Sequence, residues 1–352
     1  TGLADGGKQT AMKRLMPATL IVLLLISAVL AGFWYQYQQF LQTPLQMENS
    51  GMVIMVEPGS NLRTVVTELE QRGVTRLDWR WRLLSRLVPV TIKAGEYELP
   101  PGLKPTGLLD LLASGKVASY RFTIVEGWSL KQLLDALRLD PVLEHTVDTA
   151  ADLVGLPDMP PGKLEGWFLP ETYVFTRGDT DIHILRRAYA AMVGELETVW
   201  AGRDIGLPYE TQYELLIMAS IIEKETSLES ERADIAGVFV RRLLERWRLE
   251  TDPTVIYGMG EDYRGDIRRK DLRSDTPYNT YTRHGLPPTP IAMPGLASLK
   301  AAAHPADGDV MFFVADGQGG HTFSSTLEEH NKAVRKLVDR GSVRKNQPGK
   351  QE

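Results

Sequence analysis

The chain has no cysteine in its 352 residues. That excludes disulfides, thiolate metal sites and cysteine nucleophiles, while leaving the compartment open because exported proteins need no disulfide. Histidine is scarce, six in all, and four of them (His284, His304, His321 and His330) fall in the last quarter. None is spaced from another as ligands on one helix would be, and none stands in a His-Glu-x-x-His run, so no catalytic metal is expected. No Gly-x-Gly-x-x-Gly or phosphate-loop pattern occurs either, and no cofactor is expected. An excess of positive charge is also missing: a formal net charge of -5 gives no reason to expect nucleic acid as a partner. What is there, 43% hydrophobic and 24% charged residues, is the balance of an ordinary folded protein, long enough for two modest domains and an appendage.

The appendage is legible. Met16 to Tyr35 carries no charge and is just long enough to cross a bilayer as a helix. Lys8, Lys13 and Arg14 precede it and should stay inside, whereas Trp34, Tyr35 and Tyr37 fit an aromatic belt at the far interface, which puts the rest of the chain outside. A cleavable signal peptide is the rival, since Val29-Leu30-Ala31 resembles a small-residue cleavage site. The apolar stretch exceeds a usual signal core, and a single-pass anchor is the expectation. Beyond it, residues 36–50 are polar with little periodicity and read as a tether.

A folded region begins at Met52. Met52 to Val56 reads as a strand, Glu57 to Asn61 as a turn, and Leu62 to Arg72 as a helix with apolar residues at Leu62, Val65, Val66 and Leu69. A similar unit returns at Phe122 to Val125, followed by a turn and a helix through Leu130, Leu133, Leu134 and Leu137, with Ser129 and Gln132 as a capping box. Between them lie a strand over Ala94 to Leu99 and a helix over Thr106 to Ser114, so a small mixed sheet with helices against it is expected. The strand, glycine-containing turn and helix starting near Ser or Asn resemble the LysM peptidoglycan-binding module; a generic α+β packing domain fits the same pattern.

From Thr146 onward the chain turns helical. Thr180 to Trp200, Tyr213 to Lys224 and Glu231 to Trp247 have helical apolar spacing, the last with Ile235, Phe239, Leu243 and Trp247 inward and Arg241, Arg242, Arg246 and Arg248 as a solvated face. Asp252 to Gly295 is rich in Pro, Gly, Tyr and Asn, and so long an irregular stretch is expected to wall a cleft. Val310 to Ala315 reads as a strand, Gly317 to Gly320 as a turn and Leu327 to Val338 as a closing helix. The expected fold is α+β, divided into an inner N-terminus (1–15), a transmembrane helix (16–35), the tether (36–50), a small α+β subdomain (51–120), a larger, mainly helical catalytic domain with some strands (121–340) and a disordered tail (341–352).

Chemistry is expected where the apolar run Leu215 to Ile222 ends in Glu223-Lys224-Glu225-Thr226. An acid among apolar side chains is desolvated, its pKa rises, and it can hold a proton near neutral pH as a general acid must. Two positions on a helix separate the side chains by about 200°, so only one of the pair can serve a given bond. Glu225 extends the stripe of Met218, Ile221 and Ile222, whereas Glu223 sits over Ala219 and Ser220, which makes Glu225 the expected acid and Glu223 its runner-up. Glu165 and Glu171 lie in an aromatic stretch where a structural role is the simpler reading. Asp252-Pro253-Thr254 reads as a helix start, with Asp252 at the cap, in a loop able to line the cleft.

Several stretches fall in the order and approximate spacing of the MltG family, the YceG-like endolytic murein transglycosylases. They are Glu165-Gly166-Trp167-Phe168-Leu169-Pro170-Glu171-Thr172-Tyr173, Met218 to Thr226, Thr251-Asp252-Pro253-Thr254-Val255-Ile256-Tyr257-Gly258, Tyr278-Asn279-Thr280-Tyr281, Gly285-Leu286-Pro287-Pro288, Ala301-Ala302-Ala303-His304-Pro305 and Phe313-Val314-Ala315-Asp316-Gly317. The resemblance runs from the anchor to about Val338. It implies an inner-membrane anchor, a LysM-like subdomain and a periplasmic catalytic domain that cuts the β-1,4 bond between N-acetylmuramic acid and N-acetylglucosamine without water, leaving a 1,6-anhydromuramic end.

Glu225-Thr226 resembles the Glu-Ser pair of lysozyme-like transglycosylases, and Pro277-Tyr278-Asn279 resembles their Ala-Tyr-Asn stretch. The resemblance thus assigns the acid to Glu225 and offers Asn279 for the sugar's acetamido group and Tyr278 for a sugar face, with Asp252 and Glu165 as further substrate-binding candidates. It also implies association with peptidoglycan synthases at the membrane. The alternative is a non-catalytic, membrane-anchored peptidoglycan-binding scaffold.

Overall fold

In the computed structural model, which describes residues 6–153 and 164–345, the chain separates into two units, one ending at Ser119 and one beginning at Tyr120. The first opens with helix α1 (Gly6–Gln42), whose residues 20–36 are all exposed. Among the described residues it is the one helix long and apolar enough to cross a membrane. The expected tether begins late, because the helix does not stop at Tyr35. Tyr37 and Phe40, three positions apart on one face, are buried in the unit's core with Leu45, and the Leu45 N–H reaches the Leu103 carbonyl at 2.8 Å. Two aromatics on one helical face can end a membrane span or seat a helix in a core, and here they do the second.

After α1 come β1 (Met52–Val56), α2 (Leu62–Gln71), α3 (Trp79–Leu87), β2 (Gly95–Leu99) and α4 (Pro105–Ser114). β1 pairs antiparallel with β2, Met52 opposite Leu99, so Ile54, Val56, Tyr97 and Leu99 face one core with Val65, Val66, Leu69, Trp81, Leu84, Leu108, Leu109 and Leu112. Asn61 caps α2 by accepting from the Thr64 N–H, and Asp78 caps α3 by accepting from the Arg80 N–H. Pro105 starts α4, where its missing N–H costs nothing, and Gly115 ends it in the left-handed region.

The second unit begins with β3 (Tyr120–Thr123) and α5 (Leu130–Leu139), the latter carrying the Ser129–Gln132 capping box. β3 pairs antiparallel with β4 (Thr172–Phe175), Tyr120 opposite Phe175. The expected mixed sheet is therefore replaced by separate two-stranded ladders, because the second strand–turn–helix pairs within its own unit. Helices α6 (Asp181–Ala201), α7 (Gln212–Glu225), α8 (Arg232–Leu244), α9 (Asp252–Met259), α10 (Arg269–Arg273) and α11 (Leu296–Ala303) follow, then the hairpin β5 (Phe312–Ala315) and β6 (His321–Ser324), and α12 (Leu327–Lys345). The tail expected from 341 is still helical to Lys345, and the rest of it lies outside the described residues.

α7 is the axis of this unit. Thr211 and Glu214 close a reciprocal capping box at its start, and every residue from Leu215 to Ile222 is buried against α6, α8, α9 and α11. A helix apolar all round must be central. The arginine face expected on α8 is only half there. Arg242 is buried, giving Nε to the Met311 carbonyl and Nη1 to the Leu249 carbonyl, and Arg241 gives its guanidinium to the carbonyls of Ala306 and Val310. Arg246 and Arg248 stay in solvent, beyond the end of the helix, and Trp247 is 43% exposed. The two guanidinium groups thus satisfy backbone carbonyls in the stretch leading into β5 and, at Leu249, in the loop after α8.

Candidate active site

α7 ends at Glu225, with Thr226 extended beyond it, so both carboxylates leave from the helix's last turn. Glu223 turns toward the start of α11. Its Oε2 accepts from the Gly295 N–H at 3.0 Å and the Ser298 hydroxyl at 2.7 Å, and Oε1 lies 3.7 Å from an Nη of the buried Arg232. Only 6% of the side chain is exposed. Buried carboxylates are tolerated when paired and hydrogen-bonded, and this one is both.

Glu225 turns the other way, toward the start of α9. Thr251, the residue before α9, donates its hydroxyl to Glu225 Oε1. Burial pushes this carboxyl up to about 7; the Thr251 hydrogen bond and the charges of His321 and Arg242 draw it down, and that of Asp252 pushes it further up. No guanidinium or backbone N–H is bonded to it among the described residues. The group therefore holds its proton about half the time at neutral pH, as a general acid that must later act as a base requires.

The apolar stripe is not what separates the two acids. α7 is apolar on all sides, and Glu223 is as deeply placed as Glu225. They differ in their donors, which come from α11 and α8 on one side and from a single threonine on the other.

Asp252 is the first residue of α9, with Thr251 taking the cap that the sequence offers to Asp252. It is exposed, accepts from the Tyr281 hydroxyl at 2.7 Å, and stands close enough for its charge to act on Glu225. By sequence no site role falls to Tyr281, Thr251, Arg242 or His321, and Arg242 is expected on a solvated face. Threonine before Asp-Pro is a readable cap signal, but the other three reach this region only through the fold. His321 is held by Glu231, whose Oε1 accepts the His321 N–H and whose Oε2 lies 2.8 Å from Nδ1. Thr226, buried, spends its hydroxyl on Glu231 and on the Leu228 N–H.

Asn279 is a correction. It is 1% exposed, its Nδ2 donates to the carbonyls of Asp271, Leu272 and Ser274, and its Oδ1 accepts from the Tyr281 N–H. An amide so committed shapes the loop and cannot receive a sugar's acetamido group without breaking it. Tyr278 shares its hydroxyl with Thr289 and packs edge-on against Tyr257, 4.9 Å between centroids, so it braces α9.

Glu165 is buried at the other end of α9. Its Oε1 accepts from the Leu130 N–H at the start of α5 and its Oε2 from the Tyr257 hydroxyl, while burial pushes it to about 7. Gly166 beside it has φ +85°, and a Cβ there would lie 2.5 Å from a Pro290 carbon, so glycine is needed to seat this loop. Glu171 is exposed. Among the described residues, no group of three or more His, Asp or Glu side chains is placed to hold a metal ion.

The geometry has relatives. A chain named endolytic murein transglycosylase from Bacillus subtilis is 29% identical over 88% of this chain and 91% of its own length. Another of that name, from Streptococcus pneumoniae, is 26% identical over 93% of this chain and 66% of its own. A crystal structure of a YceG-like protein from Listeria monocytogenes superposes with a TM-score of 0.51 at 30% identity, covering 80% of this chain and 98% of that one. The YceG-like family model matches residues 54–336, which takes in α7, Glu225, Thr251 and the Glu231–His321 pair, and the chain belongs to the YceG-like family.

Proposed function

We propose that this protein is an endolytic murein transglycosylase, a lyase that cuts the β-1,4 bond between N-acetylmuramic acid and N-acetylglucosamine within peptidoglycan glycan strands, and that Glu225 is its acid and base. The reading rests on one observation above others: at the end of α7 one carboxyl is neutralised by fixed donors and the other, Glu225, is buried with a pKa of about 7 beside an exposed Asp252–Tyr281 edge. The names of the relatives point to the same reaction.

One carboxyl suffices for this chemistry. An ordinary glycosidase needs a second one to activate water or to attack carbon. Here Glu225 gives its proton to the glycosidic oxygen, the C1–O bond breaks, and the 2-acetamido oxygen of the same sugar steadies the developing cation. The sugar's own C6 hydroxyl then bonds to C1 and returns its proton to Glu225, closing the 1,6-anhydro ring with no water consumed. Thr251 orients the carboxyl, and Asp252 raises its affinity for the proton. Glu165 and Tyr257 hold the far end of α9 and keep Thr251 in place.

The first unit is read as LysM-like, since β1, the turn and α2 capped by Asn61 keep the strand–turn–helix start on which that resemblance rests. With α1 as a single-pass anchor, the catalytic unit would work in the periplasm on strands still near their synthases, a gain in effective concentration. The test is mass spectrometry of glycan strands digested by the full chain. Anhydro ends that vanish with Glu225→Gln and persist with Glu223→Gln support the assignment. Reducing ends would mean a hydrolase, and no cleavage by the unaltered chain would favour the wall-binding scaffold.

A further inference from the structure

Helix α3 is the least explained element of the first unit. Trp81 and Leu84 point into the core, so at 100° per residue the opposite face carries Arg82 and Arg86, both exposed, with Trp79 half-buried at the edge between that face and the core. The helix ends in Leu87 and is capped by Val88, 57% and 41% exposed. An aromatic, two arginines and open leucine and valine make a poor water-facing surface and a good interfacial one.

The position of this face is fixed by α1. Phe33, inside the apolar stretch, meets Trp79 edge-on with 5.4 Å between ring centroids. One turn pair further on, Phe40 packs against Trp81, and the Arg80 guanidinium lies 5.1 Å from the Phe40 ring centre. If Tyr35 marks the edge of the hydrocarbon, Tyr37 enters the unit's core only about 3 Å beyond it, at ~1.5 Å per residue. The headgroup layer on each side is roughly 5–8 Å deep. With no tether between span and core, α3 begins inside that layer.

We infer that α3 docks on the lipid surface from which α1 emerges, with Trp79 at the interface and Arg82 and Arg86 on anionic headgroup phosphates. This rests on the reading of α1 as a membrane span. Docking holds the first unit at a set angle and height over the bilayer, and each arginine near an anionic surface is expected to strengthen it roughly fivefold.

A chain without cysteine allows a single probe. The full chain carrying Ser85→Cys, labelled with a nitroxide, is reconstituted into vesicles of phosphatidylcholine alone or with phosphatidylglycerol, and collisions with a water-soluble nickel chelate are measured. Phosphatidylglycerol is expected to cut the collision rate several-fold, R82E/R86E to restore it, and high salt to weaken the effect in the unaltered sequence. Both arginines are exposed, so the double variant should fold, which circular dichroism checks. A chain that fails to float with vesicles would overturn the anchor reading and the docking with it. A chain that floats but whose label collides equally in both lipids, or is indifferent to R82E/R86E, would overturn the docking alone.

Discussion

The two sides of the α7 terminus handle the same side chain in opposite ways. On the α11 side, a carboxylate meets a backbone N–H, a hydroxyl and a guanidinium. On the α9 side, two residues further on, it meets one threonine hydroxyl, with the charges of Asp252, His321 and Arg242 acting from nearby but not bonded to it. Burial is common to both, so burial alone does not make a catalytic acid. The first side has enough fixed donors to keep a charge buried, and the second has too few, which leaves the proton as the cheapest way to neutralise the group. The largest test of this contrast is activity. Glu225→Gln keeps shape and hydrogen bonding but removes the proton, and kcat for anhydro-end formation is expected to fall on the order of 10²–10⁴-fold, with Glu223→Gln well within tenfold of the unaltered enzyme.

The second test moves from rate to stability. Glu223→Ala strands the Gly295 N–H and the Ser298 hydroxyl, and leaves the Arg232 guanidinium, whose Nε already lacks a hydrogen-bond partner among the described residues, with the more exposed Glu126 carboxylate 3.8 Å away. A loss of roughly 3 kcal/mol in denaturant unfolding is expected, while the folded fraction keeps its kcat. Loss of activity per folded molecule as large as that of Glu225→Gln would erase the contrast.

This contrast explains how far the sequence could be read. Local signals were legible: the capping box at Ser129, the stripe of α2, and the apolar run that had to be buried. The preference for Glu225 over Glu223 rests on the likeness of Glu225-Thr226 to the Glu-Ser pair of lysozyme-like transglycosylases, because the stripe argument does not discriminate on a helix buried all round. What failed was long-range. Tyr37 and Phe40 look alike in a membrane belt and in a core, and nothing local tells Arg242, which bonds a carbonyl 69 positions on, from Arg246, whose side chain stays exposed. Asn279 matches a sugar-binding pattern, yet three carbonyls of its own loop claim it first.

A third consequence separates the two sides by pH. In the folded chain Glu225 keeps its proton up to about 7, and in the unfolded chain it loses it near 4.5. Between those values the native state binds a proton that the unfolded state has released, so its contribution to stability falls as pH rises from about 4.5 to 7 and stays low above. Glu225→Gln abolishes the penalty. Its unfolding free energy should exceed that of the unaltered chain above neutral pH, by at most about 3 kcal/mol, and the gain should shrink toward pH 4.5. Glu223→Gln, which alters the carboxyl bonded to the Gly295 N–H and the Ser298 hydroxyl, is the comparison. Parallel pH curves for the two variants would contradict the assignment of buried proton to one side.

The smallest effect belongs to the single donor itself. Thr251 draws the Glu225 pKa down by giving its hydroxyl to the charged form, so Thr251→Val, equal in shape and without the donor, should raise it. The acid must be protonated to break the glycosidic bond, and the descending alkaline limb of kcat/KM should therefore move to higher pH, by up to about one unit. A merely structural role for Thr251 would lower the whole profile and leave its limb in place. The proton would then be held by burial alone, and the α9 side would differ from the α11 side only in what it lacks.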